Sequence, residues 1–156
     1  MKTLHILILL GIANVISLNS MAQTSNENVV RAFLNTIFTT QEVDEIVVAN
    51  KYFCFDPLNE NLNEVKKLER HKIFSAFLKE TKNKYQDLYN DTIPIIPYSQ
   101  LPSSYKVPFD KNIQNEIVAV KFRNEKIMYI WLKNSKIMAC DLYIQKDADS
   151  AYFITF

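Results

Sequence analysis

Apolar residues recur at helical spacing through the first half of the chain and at strand spacing through its last third. Val29, Val30, Phe33, Leu34, Ile37 and Phe38 share one face of a helix, and Thr24 with Glu27 has capping-box spacing just before them. Thr39 and Glu42 repeat that spacing ahead of Val43, Ile46, Val47 and Asn50, which predicts a second, shorter helix; Pro57 ends that stretch. A polar entry over residues 59–63 opens the third and longest helix. Its predicted stripe is Leu62, Val65, Leu68, Ile73, Phe74, Phe77 and Leu78, opposed by Lys66, Lys67, Arg70, Lys72, Lys79 and Glu80. Pro94, Pro97, Pro102 and Pro108 then exclude helix over residues 91–111. Ile95, Ile96, Tyr98, Leu101, Tyr105 and Phe109 make that segment too apolar for a disordered linker, so it is expected to pack over the domain.

Residues 116–123, 126–133 and 136–145 read as strands, and residues 152–156 as a fourth, terminal strand. Asn124-Glu125 and Asn134-Ser135 separate the first three. Asn tolerates positive φ, so both are read as two-residue hairpin turns, pairing Arg123 with Lys126 and Lys133 with Lys136. On that register Val118, Val120 and Phe122 share a face with Ile127, Tyr129, Trp131, Met138, Cys140 and Leu142. Ile117, Ala119 and Lys121 share the other with Met128, Ile130, Leu132, Ile137, Ala139, Asp141 and Tyr143. Both faces are largely apolar, so both are expected to be covered. The helices take one; the proline-rich segment or a second subunit takes the other. The fold class is α+β: three N-terminal helices packed on a four-stranded antiparallel meander.

Three features carry a resemblance: Val29-Val30-Arg31-Ala32-Phe33-Leu34, the hairpin over residues 126–132 and 136–142, and the terminal Ala151-Tyr152-Phe153-Ile154. On these the chain resembles small exported bacterial proteins with a nuclear transport factor 2-like, or cystatin-like, cone. The likeness covers most of residues 26–156 and departs at Asn134-Ser135, where many such proteins carry glycine. It implies helices packed into a bent sheet, often dimeric through that sheet. It assigns no activity, because the fold hosts enzymes, binders and modules without chemistry.

Residues 1–22 read as a secretory signal peptide. Lys2 gives the positive start, an apolar run follows, and Ser20-Met21-Ala22 offers small residues for cleavage before Gln23. The run, broken by Asn14, is too short to span a bilayer. The expectation is a single domain over residues 23–156, exported to the periplasm or secreted, with no membrane span after signal removal. The chain carries +1 formal charge, and the leader holds Lys2 and no acid, so the remainder is neutral and no field draws nucleic acid. Its one glycine, Gly11, lies in the leader, which excludes phosphate loops, dinucleotide fingerprints and Gly-flanked nucleophile elbows.

Cys54 and Cys140 permit one disulfide in an oxidising compartment, but both sit in apolar runs where a buried thiol serves equally. His71 lies between Arg70 and Lys72 on a wet face, so it is not expected to catalyse, and the chain has no zinc spacing. The oxygen-rich run Asp56, Asn59, Glu60, Asn61 and Glu64 and the pair Asp147 and Asp149 read as solvated loops; no metal or other cofactor is expected.

Asp141 is the odd residue, an acid inside an apolar strand. Three readings follow: an ion pair with Lys121 across Met128, an edge-exposed acid, or a desolvated base in a cone pocket with Tyr143 as the nearest donor. Tyr129 and Trp131 read as core or as the wall of an apolar-ligand cavity. Asp91-Thr92-Ile93 and Asp149-Ser150-Ala151 match a short Asp, Ser/Thr, apolar pattern of O-glycosylation in exported bacterial proteins, and Asn90-Asp91-Thr92 fits an N-glycosylation triplet. The sequence thus points to an exported, non-enzymatic domain that binds a small apolar ligand or a protein partner, or a second copy, through its sheet. The alternatives are an enzyme with Asp141 as base, or an immunity or inhibitor protein against an exported toxin or hydrolase.

Overall fold

A computed structural model describes residues 25–54 and 63–155. The expected leader, Gln23, Thr24, the oxygen-rich run at 56–61, Leu62 and Phe156 lie outside the described residues.

Helix α1 occupies residues 25–39 and buries Val30, Phe33, Leu34, Ile37 and Phe38, the expected face. Helix α2, Glu45–Tyr52, starts later than Thr39 and Glu42 implied. Thr39 Oγ1 donates back to Asn35 O at 2.7 Å, inside α1. Asp44 caps α2 instead, its carboxylate accepting the Val47 amide at 3.0 Å. Val48, Ala49 and Tyr52 form its buried face, and Ile46 and Val47 are exposed.

Helix α3, Glu64–Tyr85, is capped by Asn63, which accepts the Lys66 amide at 3.0 Å. Its inner face is Phe74, Phe77, Leu78, Thr81 and Tyr85, spaced by three and four. Val65 is nine residues before Phe74, about 180° around the helix. Val65, Leu68 and Ile73 are accordingly exposed rather than part of the stripe.

The sheet runs in sequence order: β1 (Ile95–Pro97), β2 (Ile117–Lys121), β3 (Ile127–Lys133) and β4 (Lys136–Cys140), all antiparallel. The α+β class and the four-stranded meander behind N-terminal helices are therefore as expected. The membership differs. The first strand comes from the proline-rich segment, where Pro97 sits on the sheet edge, a place that tolerates its missing N–H. The expected terminal strand instead forms β6 (Ala151–Phe153) and pairs with β5 (Tyr143–Gln145) as a separate ribbon. The long expected strand over 136–145 is broken because Asp141 turns the backbone at φ 54°.

The register also differs in the first hairpin. The Phe122 amide donates to Lys126 O at 2.8 Å, so three residues, not two, make the loop. Val118 then faces Ile130, and Val120 faces Met128. This one-residue change moves Met128, Ile130 and Leu132 to the face of Val118, Val120 and Phe122, and sends Tyr129 and Trp131 to the other. Asn134-Ser135 is the expected two-residue turn, with φ 51° and 58° and Lys133 opposite Lys136. Beyond it the pairing shifts between Leu132↔Ile137 and Trp131↔Ala139, leaving Met138 as a bulge. Ile137 and Cys140 consequently both reach the helix side.

The helices cover one face through Phe33, Phe74, Phe77 and Tyr85, joined by Phe53 just after α2. The other face is covered by the chain itself. Tyr98, Leu101 and Phe109 from the proline-rich segment pack with Ile117, Ala119 and Tyr129 of the sheet and Ala151 of the ribbon. The exposed second face that motivated a dimer through the sheet is thus filled among the described residues. None of the described helices is long and apolar enough to cross a membrane.

Candidate functional site

Asp141 stands where β4 bends away toward the ribbon. Its amide still donates to Tyr129 O at 2.8 Å, completing the β3 edge before the chain turns. The carboxylate points toward the end of α3. Oδ2 accepts from Lys84 Nζ at 2.6 Å and from the Tyr85 hydroxyl at 2.7 Å. The side chain keeps only 9% of its surface exposed.

The expected partner, Lys121, is elsewhere. Its Nζ sits 4.8 Å from the centre of the Tyr105 ring. With β2 shifted by one residue, Lys121 lies beside Ile127 and the pairing imagined across Met128 does not arise. Tyr143 belongs to the aromatic cluster described below; Tyr85 supplies the phenol on Asp141.

Burial raises the Asp141 carboxyl above its ordinary range, while the hydrogen bonds from Lys84 and Tyr85 and the Lys84 charge oppose the rise. Tyr85 is driven well up, first by burial and then by the adjacent carboxylate. Its ring stacks on Phe122 at 4.3 Å, which fixes the hydroxyl over Asp141. The arrangement therefore pins the end of α3 to the bend of the sheet. Two donors, Lys84 and Tyr85, bracket the carboxyl group there.

Tyr129 and Trp131, the expected ligand wall, come together with Tyr143, expected beside Asp141 on the other face, around Phe109 and Phe153. Phe109 stacks on Phe153 at 4.4 Å and meets Tyr129 and Tyr143 edge-on at 5.5 and 5.4 Å. Tyr129 and Tyr143 cross at 5.7 Å, and Trp131 lies 6.1 Å from Phe153. Each polar tip is engaged or raised: Tyr129 donates to Tyr105 O, and Trp131 Nε1 donates to Glu116 at 2.8 Å. Burial pushes the Tyr129 phenol up to about 12, and raises Tyr143 as well. These rings pack as core.

Cys140 is a free, fully buried thiol, 3.5 Å from Met128 Sδ, and burial raises it strongly. Its Sγ therefore faces Met128, and of the two readings of the cysteines the buried thiol is the one seen for Cys140. Cys54 borders β4 from outside, its amide donating to Ile137 O at 2.9 Å. Among the described residues no group of three or more His, Cys, Asp or Glu side chains is placed to hold a metal ion.

Sequence reasoning missed the outer face of the ribbon. Ile144 and Tyr152 are cross-strand partners, and the Ile154 amide donates to Leu142 O at 2.8 Å, which extends the same ladder. Side chains alternate along each strand, so Ile144, Tyr152 and Ile154 share one face. They are 58%, 52% and 44% exposed. Tyr143 and Phe153 on the reverse face anchor the ribbon in the aromatic cluster. Tyr152 also borders a groove of about 360 Å³ with a floor at Phe109 and Ala151 and a rim at Asp110, Lys111, Asp149 and Ser150. The signal in the sequence was the alternation of Leu142, Ile144 and then Tyr152, Ile154, which is legible only once the two segments are paired.

Comparison with protein-family models, curated proteins and solved structures finds no match for this chain.

Proposed function

We propose that the protein is an exported, non-enzymatic α+β domain of the nuclear transport factor 2-like kind that binds a protein partner through the β5–β6 ribbon. The observation that carries this reading is the row Ile144, Tyr152 and Ile154, apolar and half exposed on a ribbon whose other face is anchored in core. Large apolar side chains presented together on a rigid ribbon mark association surfaces. The mixed rim of Asp110, Lys111 and Asp149 beside it offers polar edge contacts. An immunity or inhibitor protein that occludes an exported toxin or hydrolase is one form of this function.

A small apolar ligand draws less support, because Tyr129, Trp131 and Tyr143 spend their ring faces on Phe109 and Phe153. Catalysis by Asp141 draws less as well, because its Oδ2 is held by Lys84 and Tyr85.

A photo-crosslinking residue at position 144, compared with one at the exposed Lys79 of α3, tests the reading in the source organism. A discrete adduct at 144 that is absent at 79, and lost on adding Ile154→Lys, is expected. Equal adducts at both positions, or none at 144, contradict it.

A further inference from the structure

Two tripeptides of one make-up, Asp91-Thr92-Ile93 and Asp149-Ser150-Ala151, stand at separate places in the fold and are held alike. In each the third residue is an anchor: Ile93 and Ala151 are both 2% exposed. In each the acid is exposed and the hydroxyl lies on the surface side of a bend leading into a strand, Thr92 ahead of β1 and Ser150 ahead of β6. An upstream side-chain oxygen grips both loops. Asn90 Oδ1 accepts the Thr92 amide at 3.0 Å and Thr92 Oγ1 at 2.8 Å. Asp147 Oδ1 accepts the Asp149 amide at 2.9 Å and Ser150 Oγ at 2.8 Å. Each hydroxyl proton is thus committed to a neighbour, which leaves the oxygen lone pairs for an incoming electrophile. The buried third residue fixes the loop, so the acid and hydroxyl are presented in one conformation at low ordering cost.

We infer that Thr92 and Ser150 are acceptor sites for the same O-glycosyl transfer, with the Asp–hydroxyl–apolar triplet as the recognised unit. In that step the hydroxyl oxygen attacks the anomeric carbon of a sugar activated as a glycosyl diphosphate. The carbon–oxygen bond to the diphosphate breaks, and the diphosphate leaves with the electron pair. The hydroxyl proton leaves its hydrogen bond to Asn90 or Asp147 and passes to a base of the transferase. Nothing is oxidised or reduced. The exposed Asp91 and Asp149 serve as the charged handle for a basic site on that enzyme.

The inference rests on the export reading for the compartment in which transfer occurs, and Ser150 lines the groove beside the proposed partner surface. The test is intact-mass and peptide mass spectrometry of the protein recovered from its source organism. Expected are sugar masses on Thr92 and Ser150, each lost with Thr92→Ala or Ser150→Ala, retained in Thr92→Ser, and reduced several-fold in Asp91→Asn or Asp149→Asn. A sugar on Asn90 instead of Thr92, or on only one of the two hydroxyls, overturns the shared unit. The same spectra read the N-terminus. A chain that starts at Gln23 and carries no sugar overturns the inference and leaves export standing, whereas an unmodified chain that keeps residues 1–22 contradicts both.

Discussion

Asp141 takes a backbone conformation with φ 54° while its carboxylate is bonded to Lys84 and Tyr85. Asp and Asn visit the left-handed region at lower cost than other residues with a Cβ, which costs those roughly 1–2 kcal/mol. Removing the carboxylate also strands the Tyr85 hydroxyl, about 1–3 kcal/mol when buried. Asp141→Ala is therefore expected to lose about 2–4 kcal/mol in denaturant unfolding. Asp141→Asn keeps an acceptor and tolerates the backbone, so it is expected to lose less. An Asn loss as large as that of Ala would show that the charge, not the geometry, holds this bend.

The pH dependence has a definite sign. Burial raises the folded carboxyl above its ordinary 3.8, so folding disfavours the ionised form. The contribution of Asp141 to stability is complete below the unfolded value and is lost as pH rises through the folded one. Relative to Asp141→Asn, the wild-type protein is expected to gain stability as pH falls toward 3.8. A difference that shrinks on acidification would mean that the Lys84 pair outweighs desolvation. The oddity of this acid was legible from its place in an apolar run. Its partners were not, because they lie 57 and 56 residues away on a helix.

Among the elements, the hairpins show why the register was only half legible. Asn134-Ser135 sits between two lysines that end clear strands, and the two-residue turn follows. At the first hairpin nothing in Arg123-Asn124-Glu125 marks a third loop residue. Asn124 and Glu125 both take positive φ, 58° and 61°, without a glycine to announce it. That slip reassigned the faces of β3 and carried Tyr129 and Trp131 from one core to the other. β1 escaped notice because three residues, the last of them Pro97, give too short a period to read. On α3, the composition of Val65, Leu68 and Ile73 suggested burial, but the interval to Phe74 decides the face. The proline-rich segment is tied down chiefly by Phe109, which meets four rings and is 3% exposed. Phe109→Ala is expected to cost about 3–5 kcal/mol, the range for a buried Phe, and to speed amide exchange over residues 98–113 before the helices respond. Loosening of the helices first would place the anchor elsewhere.

For the whole molecule, the sequence supplied the order of helices and sheet and the argument that two apolar faces need two covers. It left open whether the second cover was this chain or another. The structure fills that face with Tyr98, Leu101 and Phe109 and turns the chain end into a ribbon braced against it. On the ribbon, Ile144, Tyr152 and Ile154 stay exposed as a row. The central claim is that the domain covers its own sheet, so that association runs through the ribbon and not through a sheet face. Light scattering of the wild-type domain and of Ile144→Asp at micromolar concentration tests this most directly. One chain per particle is expected for both proteins. A two-chain mass that persists in Ile144→Asp would contradict the claim, because association would then run through a surface other than the ribbon.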